Sequence, residues 1–318
     1  MTANIVKKPL VILTGPTAAG KTKLSIALAK AIGGEIISAD SMQVYRHMDI
    51  GSAKIRVEEM QGVCHHLIDI LEPTEDFNVV LFQRLAFDAM EKIYTRGHIP
   101  ILVGGTGFYI QAILYAIDFT KEGTDKTYRE ALEQIAKEQG NHVLHEKLRQ
   151  VDPVSADAIH ENNVKRVIRA LEFYQETGEP ISAHNETEHQ KEAAFNACYF
   201  VLNEDRQVLY DRIEKRIDEM MNQGLLDEVR ALKSAGCKRG MVSMQGLGYK
   251  EILDYLEGRC TLEEAISVLK RDTRHFAKRQ LTWFRRERDV IWLEKEEFEN
   301  DDDKILKAIL QYLSEKGI

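Results

Sequence analysis

The sequence predicts an α/β fold, a parallel sheet flanked by helices, with an all-helical insertion in the middle of the chain. Short apolar runs alternate with helical patterns over residues 9–115, an order typical of parallel sheets. Strand-like runs disappear between about residues 118 and 190 and return near residue 198. We therefore expect a core domain formed by residues 1–117 and 196–318, and an insertion domain at residues 118–195.

The first part of the chain supplies three strands and three helices. Its apolar runs are short and bounded by Pro or Gly, as expected of strands buried on both faces. Apolar residues at helical spacing follow each run. The predicted strands are 9–14, 35–40 and 99–103, and the predicted helices are 21–32, 79–96 and 108–115.

The rest of the chain is predicted to be mainly helical. The insertion has helical patterns near 125–138, 141–150, 155–160 and 163–177. Residues 198–202 restore a strand, and two long helices are predicted at 206–234 and 261–288. The stretch from 294 to 303 holds seven carboxylates and one lysine, which favours a solvated surface segment.

Composition narrows the class of protein. The chain has 318 residues, with 43 Lys and Arg against 51 Asp and Glu and a formal net charge of −8. Binding to nucleic acid therefore requires a local basic patch. None of the four cysteines lies in a C-x-x-C pair, so we expect reduced thiols and no zinc ribbon. Without a secretory signal or an apolar window of roughly 20 residues, we expect a cytoplasmic protein with no membrane association. We also expect it to be a monomer.

A complete phosphate-binding motif follows the first strand and opens the first helix. Its glycines allow backbone N–H groups to converge on phosphate oxygens, and the helix N-terminus adds partial positive charge. Lys21 supplies a full charge, and the Thr22 hydroxyl is placed for Mg²⁺. The motif predicts a P-loop NTPase-like fold that binds a polyphosphate of unspecified kind. Its residues are Gly15, Pro16, Thr17, Ala18, Ala19, Gly20, Lys21 and Thr22.

Asp40 ends the second predicted strand. Ligands of open α/β sheets lie beyond the carboxyl ends of the strands, so we expect Asp40 to face the same crevice as the phosphate loop. Its carboxylate could bind a metal directly or through water, or act as a general base. Alternatively, it caps the turn that follows, because Asp-Ser is a common turn pair.

A glycine-rich turn, Gly104-Gly105-Thr106-Gly107, follows the third predicted strand. Many P-loop NTPases place a metal-binding Asp there, and the turn has none. Its glycines permit close backbone approach to a ligand, and Thr106 offers a hydroxyl; a tight structural turn explains the same residues. The missing acid argues against an ordinary NTPase.

Basic residues cluster in this acidic chain. Residues 270–288 contain eight basic and two acidic side chains, a balance of +6, interleaved with aromatic residues. Such a helix could follow a phosphate backbone and offer stacking faces, or it could be a solvated helix whose aromatic stripe faces the core. Arg212 and Arg216, four residues apart, share a helix face and could reach a polyphosphate or pair with nearby acids. Smaller basic groups are Lys165, Arg166 and Arg169, and Arg206 and Lys215.

Eight motifs in order over residues 9–293 make the chain resemble a known family. They are Gly-Pro-Thr-Ala-Ala-Gly-Lys-Thr (15–22), Ser-Ala-Asp-Ser-Met-Gln-Val-Tyr (38–45), Asp-Ile-Gly-Ser-Ala-Lys (49–54), Val-Gly-Gly-Thr-Gly-Phe-Tyr (103–109), Asp-Pro-Val-Ser-Ala (152–156), Arg-Val-Ile-Arg-Ala-Leu-Glu (166–172), Gly-Leu-Gly-Tyr-Lys (246–250) and Ala-Lys-Arg-Gln-Leu-Thr-Trp-Phe-Arg (277–285). Together they resemble the tRNA dimethylallyltransferases, also called tRNA isopentenyltransferases, of bacterial type.

The resemblance implies transfer of a dimethylallyl group from dimethylallyl diphosphate to N6 of adenosine 37, in tRNAs that read codons beginning with U. It implies that Lys21, Arg216 and Mg²⁺ on Thr22 stabilise the leaving diphosphate, that Asp40 is the general base, and that Thr106 orients the reacting groups. It implies that the insertion grips the anticodon stem-loop. The implied tRNA contacts are Asp40, Ser41, Met42, Gln43, Thr106, Arg129, Val164, Lys165, Arg166, Val167, Ile168, Gln245, Gly246, Leu247, Gly248, Tyr249 and Lys250.

Three alternatives remain open at this point. A small-molecule kinase shares the phosphate loop and an Asp after the second strand, but it has no need of the insertion or the basic helix. A non-enzymatic RNA-binding protein is a second alternative, but such a protein would not need the phosphate loop and Asp40 together. A prenyl transferase acting on a free adenine nucleotide is a close variant, and the basic stretches favour RNA over it.

Overall fold

A computed structural model of the chain describes residues 7–119 and 126–318. The fold divides into two compact units. Met1–Leu114 and Ala194–Ile318 form one, called here the core unit, and Tyr115–Ala193 forms the other, called the helical unit. No helix in the described part of the chain combines the length and the apolar character that crossing a bilayer requires.

The core unit contains a six-stranded sheet in which every pairing is parallel. The strand order is β3-β2-β4-β1-β5-β6. Because all strands run the same way, their carboxyl ends share one edge, and the loops that follow them meet there. The predicted parallel α/β architecture is confirmed. The strands are β1 (Pro9–Thr14), β2 (Gly34–Ala39), β3 (His65–His66), β4 (Ile99–Gly104), β5 (Asn196–Asn203) and β6 (Val290–Glu294).

Three helices alternate with the first strands: α1 (Lys21–Ile32), α2 (Val79–Thr95) and α3 (Gly107–Leu114). The predicted bounds of these helices agree with the structure to within one residue. Helix α2 is capped by Asn78, whose side-chain oxygen accepts a hydrogen bond from the Leu81 N–H at 2.9 Å, the usual way to satisfy a free N–H of the first turn.

The helical unit contains five helices among its described residues: α4 (Lys126–Gln139), α5 (Asn141–Val151), α6 (Pro153–Ala158), α7 (Val164–Thr177) and α8 (Ile181–Gln190). Four of them lie where the sequence places helical patterns. The unit has its own apolar core around Leu144, Leu148 and Val167. Buried Asp152 stabilises one corner, because its carboxylate accepts hydrogen bonds from Ser155 and Ser182.

Five further helices belong to the core unit: α9 (Arg206–Asn222), α10 (Leu225–Ser234), α11 (Tyr249–Leu256), α12 (Leu262–Phe284) and α13 (Asp302–Glu315). Helices α1 and α13 cover one face of the sheet, where Leu24, Ile305 and Ile309 pack against Val11 and Leu13. These strand residues have no solvent exposure, consistent with a sheet buried on both faces.

One prediction for this region is wrong, and another needs a qualification about a single residue. The single helix expected over 206–234 is two helices, because Gly224 adopts a φ of 102°, which only glycine tolerates without strain and which ends α9. The acidic stretch 294–303 is mainly at the surface, as predicted, with five of its seven carboxylates exposed, but it is also anchored to the core unit. Lys295 is buried within it, Glu294 accepts a hydrogen bond from Asn203 at 2.8 Å, and α13 begins before it ends.

Candidate active site

The phosphate loop lies at the carboxyl edge of the sheet, between β1 and α1. It is closed by Lys21, whose ammonium donates hydrogen bonds to the carbonyl oxygens of Gly15 at 2.9 Å and Pro16 at 2.8 Å. The Thr14 hydroxyl donates to the Gly104 carbonyl at 2.6 Å and so joins β1 to the end of β4. The loop is therefore tied to the glycine-rich turn before any ligand is considered.

Three charged side chains come together beside this loop. The pKa of Lys21 is lowered to about 8, chiefly by burial and then by the nearby charge of Arg216, while Asp40 partly offsets both. Burial likewise lowers the pKa of Arg216, and Asp40 again opposes the shift. Two cations this close to each other favour an anion between them.

The two arginines that the sequence leaves equivalent have different roles in the structure. Arg212 pairs with the buried carboxylate of Glu204 at 2.7 Å. For Arg216, the described part of the chain offers no hydrogen bond and no ion pair within 4.0 Å. The Arg216 guanidinium is half-buried and has no carboxylate partner among the described residues. It is therefore suited to bind the anion of a ligand.

Asp40 follows β2 and is half-buried. Its Oδ1 accepts hydrogen bonds from the backbone N–H groups of Met42 at 2.8 Å and Gln43 at 3.4 Å. The capping interpretation of this carboxylate is therefore correct. It does not exclude chemistry, because in the described residues Oδ2 has no hydrogen-bond partner. Asp40 thus has one oxygen that fixes its position and one that can act.

A buried glutamine connects the loop to the glycine-rich turn. Gln280 of α12 accepts a hydrogen bond from the Thr17 N–H at 2.9 Å and donates one to the Gly105 carbonyl at 2.9 Å. A Cβ on Gly105 would lie 2.1 Å from the Gln280 amide nitrogen, so glycine is required there by close approach. Thr106 follows directly, and its N–H donates to the Ala39 carbonyl at 3.3 Å.

The segment 49–54 forms a wall next to the loop and is held by buried groups. The Glu228 carboxylate accepts hydrogen bonds from three successive backbone N–H groups, those of residues 49 to 51, at 2.8–3.1 Å. The buried Tyr249 hydroxyl donates to Glu228 at 2.8 Å and accepts from the Ser52 N–H. This segment and α9 enclose a pocket of about 390 Å³ that Thr22 and Arg216 also line.

Comparison with known proteins connects this geometry to a family. The IPP transferase family model matches residues 43–287, and the isopentenyl transferase model matches residues 8–72. The chain is 60% identical over 311 residues to a tRNA dimethylallyltransferase of Lachnoclostridium phytofermentans, covering 98% of this chain and 99% of that protein. The chain belongs to the IPP transferase family.

Solved structures of family members agree. The full-length tRNA isopentenylpyrophosphate transferase of Bacillus halodurans is 47% identical, with a TM-score of 0.73 and 98% of each chain covered. A eukaryotic dimethylallyltransferase, in a structure described as acting on tRNA, is 30% identical with a TM-score of 0.78, over 90% of this chain and 74% of that one. The chain therefore shares the fold of IPP transferases over 90% or more of its length.

The donor set at the loop fits the magnesium ion expected in an IPP transferase. The Thr22 side chain is exposed and borders the pocket, and its hydroxyl has no hydrogen-bond partner among the described residues. Carboxylates of Asp49, Glu59 and Glu219 line the same pocket. Hydroxyl and carboxylate oxygens, together with water and phosphate, are the ligands Mg²⁺ prefers.

The expected tRNA contacts of an IPP transferase differ in accessibility. The Lys165 side chain on α7 is exposed, whereas the side chains of Val167 and Ile168 are buried in the helical unit. Tyr249 is fully buried and bonded to Glu228, as described above. Arg129 donates two hydrogen bonds to Glu172, at 2.8 and 2.6 Å. Val167, Ile168 and Tyr249 are buried, so their side chains can shape an RNA-binding surface only by supporting their neighbours.

The basic helix has one side that packs on the core unit and one side that carries exposed basic residues. Phe284 of α12 is fully buried, whereas Phe276 and Trp283 are half-buried, so only part of the aromatic stripe lies in the core. Arg274 and Lys270 pair with acids of α9. In contrast, Lys278, Arg285 and Arg286 are exposed, and no ion pair involves them among residues the structure describes. These three side chains keep their charge available for phosphates.

Replacing Gln280 with alanine is expected to lower kcat/KM for the prenyl donor about tenfold or more. The change leaves the Thr17 N–H and the Gly105 carbonyl, which are partly buried, without these hydrogen-bond partners, which costs about 1–3 kcal/mol. Steady-state kinetics with varied donor concentration measure the effect. Thr282→Ala is the matched control, because Thr282 lies on the exposed side of the same helix and bonds only to its own backbone turn. Equal effects of the two changes would contradict a positioning role.

Proposed function

We propose that this protein transfers the dimethylallyl group of dimethylallyl diphosphate to N6 of adenosine 37 in tRNAs that read codons beginning with U. The products are N6-dimethylallyladenosine and diphosphate. One observation supports this most strongly. In a member of the IPP transferase family, Lys21 and the unpaired Arg216 lie beside the phosphate loop, next to a carboxylate that has an oxygen to spare.

The negative charge of the departing diphosphate accounts for the positive charges of Lys21 and Arg216 beside the phosphate loop. An allylic C1–O bond can break with carbocation character, because the allyl system delocalises the charge. The barrier then depends on stabilising the departing diphosphate. The loop amides, Lys21 and Arg216 supply fixed positive charge where that negative charge develops. Mg²⁺ held by Thr22 would neutralise further charge on the diphosphate.

The chemistry of the acceptor, the N6 amine of adenine, accounts for the carboxylate of Asp40. Adenine N6 is a poor nucleophile, because its lone pair is delocalised into the ring. As N6 forms its bond to C1 and the C1–O bond breaks, N6 must lose a proton. The free Oδ2 of Asp40 accepts that proton, a role that typically contributes ~10²–10⁴-fold. The Oδ1 hydrogen bonds to Met42 and Gln43 hold the carboxylate in place.

The tRNA is recognised through phosphate contacts and an extruded base. The exposed basic residues of α12 and those at the start of α7 provide backbone contacts that position the anticodon stem-loop. An adenine stacked in the loop cannot reach C1, so the base must flip out of the stack. The helical unit, whose core is independent of the sheet, grips the stem-loop.

Incubation with labelled dimethylallyl diphosphate, Mg²⁺ and unmodified tRNA tests the proposal. We expect label in tRNA at adenosine 37 and none in AMP or ATP. A tRNA carrying guanosine at position 37 is the control and should stay unlabelled. Label in AMP alone would replace the proposal with prenylation of a free nucleotide, and transfer of phosphate from ATP would replace it with a kinase.

Donor binding is expected to weaken as pH rises through about 8. Burial lowers the pKa of Lys21 to about 8, so the free protein loses this charge above that pH, whereas the bound diphosphate favours the charged form. At a pH roughly half a unit above that pKa, most of the free protein carries a neutral Lys21, so binding of the donor should take up a proton. Calorimetry in buffers of different ionisation enthalpy measures the uptake. Lys21→Ala should bind the donor more weakly and take up no proton; uptake that persists in this variant would contradict the assignment.

A further inference from the structure

A second group of chemically active side chains lies at the opposite end of β2 from Asp40. His66 ends edge strand β3, and Cys64 immediately precedes that strand; two residues apart in extended chain, their side chains point to the same face of the sheet. Ile36 pairs with His65, so Glu35 of β2 lies on that face too. Ligand atoms of Glu35, Cys64 and His66 all lie within 4.8 Å of one another. Asp40 is five residues further along, about 17 Å away at strand spacing.

We propose that Glu35, Cys64 and His66 form a binding site for a thiophilic divalent cation such as Zn²⁺. The distance from Cys64 Sγ to His66 Nε2 is 3.5 Å, about the separation of two ligands around a tetrahedral zinc ion. The distance from His66 Nε2 to Glu35 Oε2 is 2.7 Å, which must widen by roughly 0.7 Å to admit an ion between them.

The second oxygen of the Glu35 carboxylate is held by His98, the residue before β4, which can orient the carboxylate toward the ion. His98 Nδ1 lies 2.7 Å from Glu35 Oε1, and its side chain is about half exposed. Thiolate, imidazole and carboxylate donors in one place suit Zn²⁺, whereas Mg²⁺ prefers oxygen ligands alone. The two cation sites of the chain would therefore select different metals.

Arg96 is the competitor for this site. Its guanidinium donates hydrogen bonds to both Glu35 oxygens, at 2.8 and 2.6 Å. It follows α2 and is 46% exposed, so it can turn to solvent. A dication would replace it as the counter-charge of the buried carboxylate. The Cys64 thiol would lose its proton to solvent as the metal–sulfur bond forms, with no change of oxidation state.

The site would connect the sheet edge to the wall of the active site. Residues 49–54, which line the pocket beside the phosphate loop, lie between β2 and β3 in the chain. A metal bound by Glu35 of β2 and by Cys64 and His66 at β3 would hold together the two ends of the chain segment that contains residues 49–54. The expected role is structural, since the cluster is at the amino end of the sheet and the chemistry is at the carboxyl end.

Titration of the metal-free full-length protein with Co²⁺, followed by displacement with Zn²⁺, tests the proposal. Co²⁺ reports a tetrahedral thiolate site through its visible ligand-field bands and a sulfur-to-metal charge-transfer band. We expect one equivalent to bind with both signals. Cys64→Ser should lose the charge-transfer band and weaken binding at least about tenfold. Cys260→Ser, at another partly exposed cysteine, should match the unmodified protein.

Arg96→Gln distinguishes the metal site from a simple ion-pair network. Removing the competing cation should tighten Zn²⁺ binding, and Zn²⁺ should raise the melting temperature of this variant more than that of the unmodified protein. His66→Gln should abolish the Zn²⁺ effect on melting. The proposal is overturned if Co²⁺ gives no charge-transfer band, if the band survives Cys64→Ser, or if Arg96→Gln leaves Zn²⁺ affinity unchanged or lower.

Discussion

Asp40→Asn is expected to lower kcat for prenyl transfer by ~10²–10⁴-fold, the usual contribution of a general base. An asparagine side chain has the same shape, and its oxygen can still accept the hydrogen bonds that Met42 and Gln43 donate to Oδ1. The local turn should therefore persist while the atom that accepts the N6 proton is lost. Single-turnover transfer of labelled dimethylallyl to tRNA measures the rate.

Two measurements separate this effect from misfolding. The melting temperature of Asp40→Asn should stay close to that of the unmodified protein, and its affinity for tRNA should change little. Asp40→Ala, which also removes the turn hydrogen bonds, should lose some stability in addition to its rate. If Asp40→Asn transferred the prenyl group at the normal rate, Asp40 would not be the base.

Arg216→Gln is expected to lower kcat/KM for dimethylallyl diphosphate by ~10²–10³-fold, the range found when one preorganised donor to a developing anion is removed. Arg216 lies near Lys21, whose pKa it lowers, and near Asp40, which opposes the lowering of the Arg216 pKa by burial. In the described residues it has no ion-pair partner to replace. The substitution therefore removes positive charge from the diphosphate site without breaking a salt bridge.

Arg212→Gln provides the matched control for this prediction. Arg212 is one helical turn away on α9 and pairs with Glu204, so its loss should reduce stability and leave donor kinetics nearly unchanged. Melting temperatures and donor titrations of both variants give the comparison. Equal losses of kcat/KM in the two variants would refute the assignment of Arg216 to the diphosphate.

Local sequence motifs predicted the parts of the site that are continuous in the chain. The phosphate loop, Asp40 and the turn at Thr106 follow three strands, and parallel strands place their carboxyl ends together. Gln280 was not assigned to the site, because it meets Thr17 across 263 residues and its role depends on how α12 packs. The occurrence of Gln280 inside a family motif was the one signal that could have identified it.

Tertiary contacts decided what the spacing of residues left open. Arg212 and Arg216 share a helix face, and only the position of Glu204 after β5 distinguishes them. Strand β3 has two residues, too few for a periodic pattern. Lys295 is buried although its sequence neighbours are acidic, because Glu204 and Asp302 lie near its ammonium, at 3.9 and 3.5 Å.

The central claim is that the phosphate loop binds a prenyl diphosphate while Asp40 faces an RNA amine. A crystal structure with an unreactive thiolodiphosphate analogue of the donor and an anticodon stem-loop RNA measures this directly. We predict diphosphate oxygens within hydrogen-bonding distance of the loop amides, Lys21 and Arg216, and N6 of the flipped adenine within hydrogen-bonding distance of Asp40. A diphosphate bound elsewhere, or an adenine whose N6 faces away from Asp40, would contradict the account.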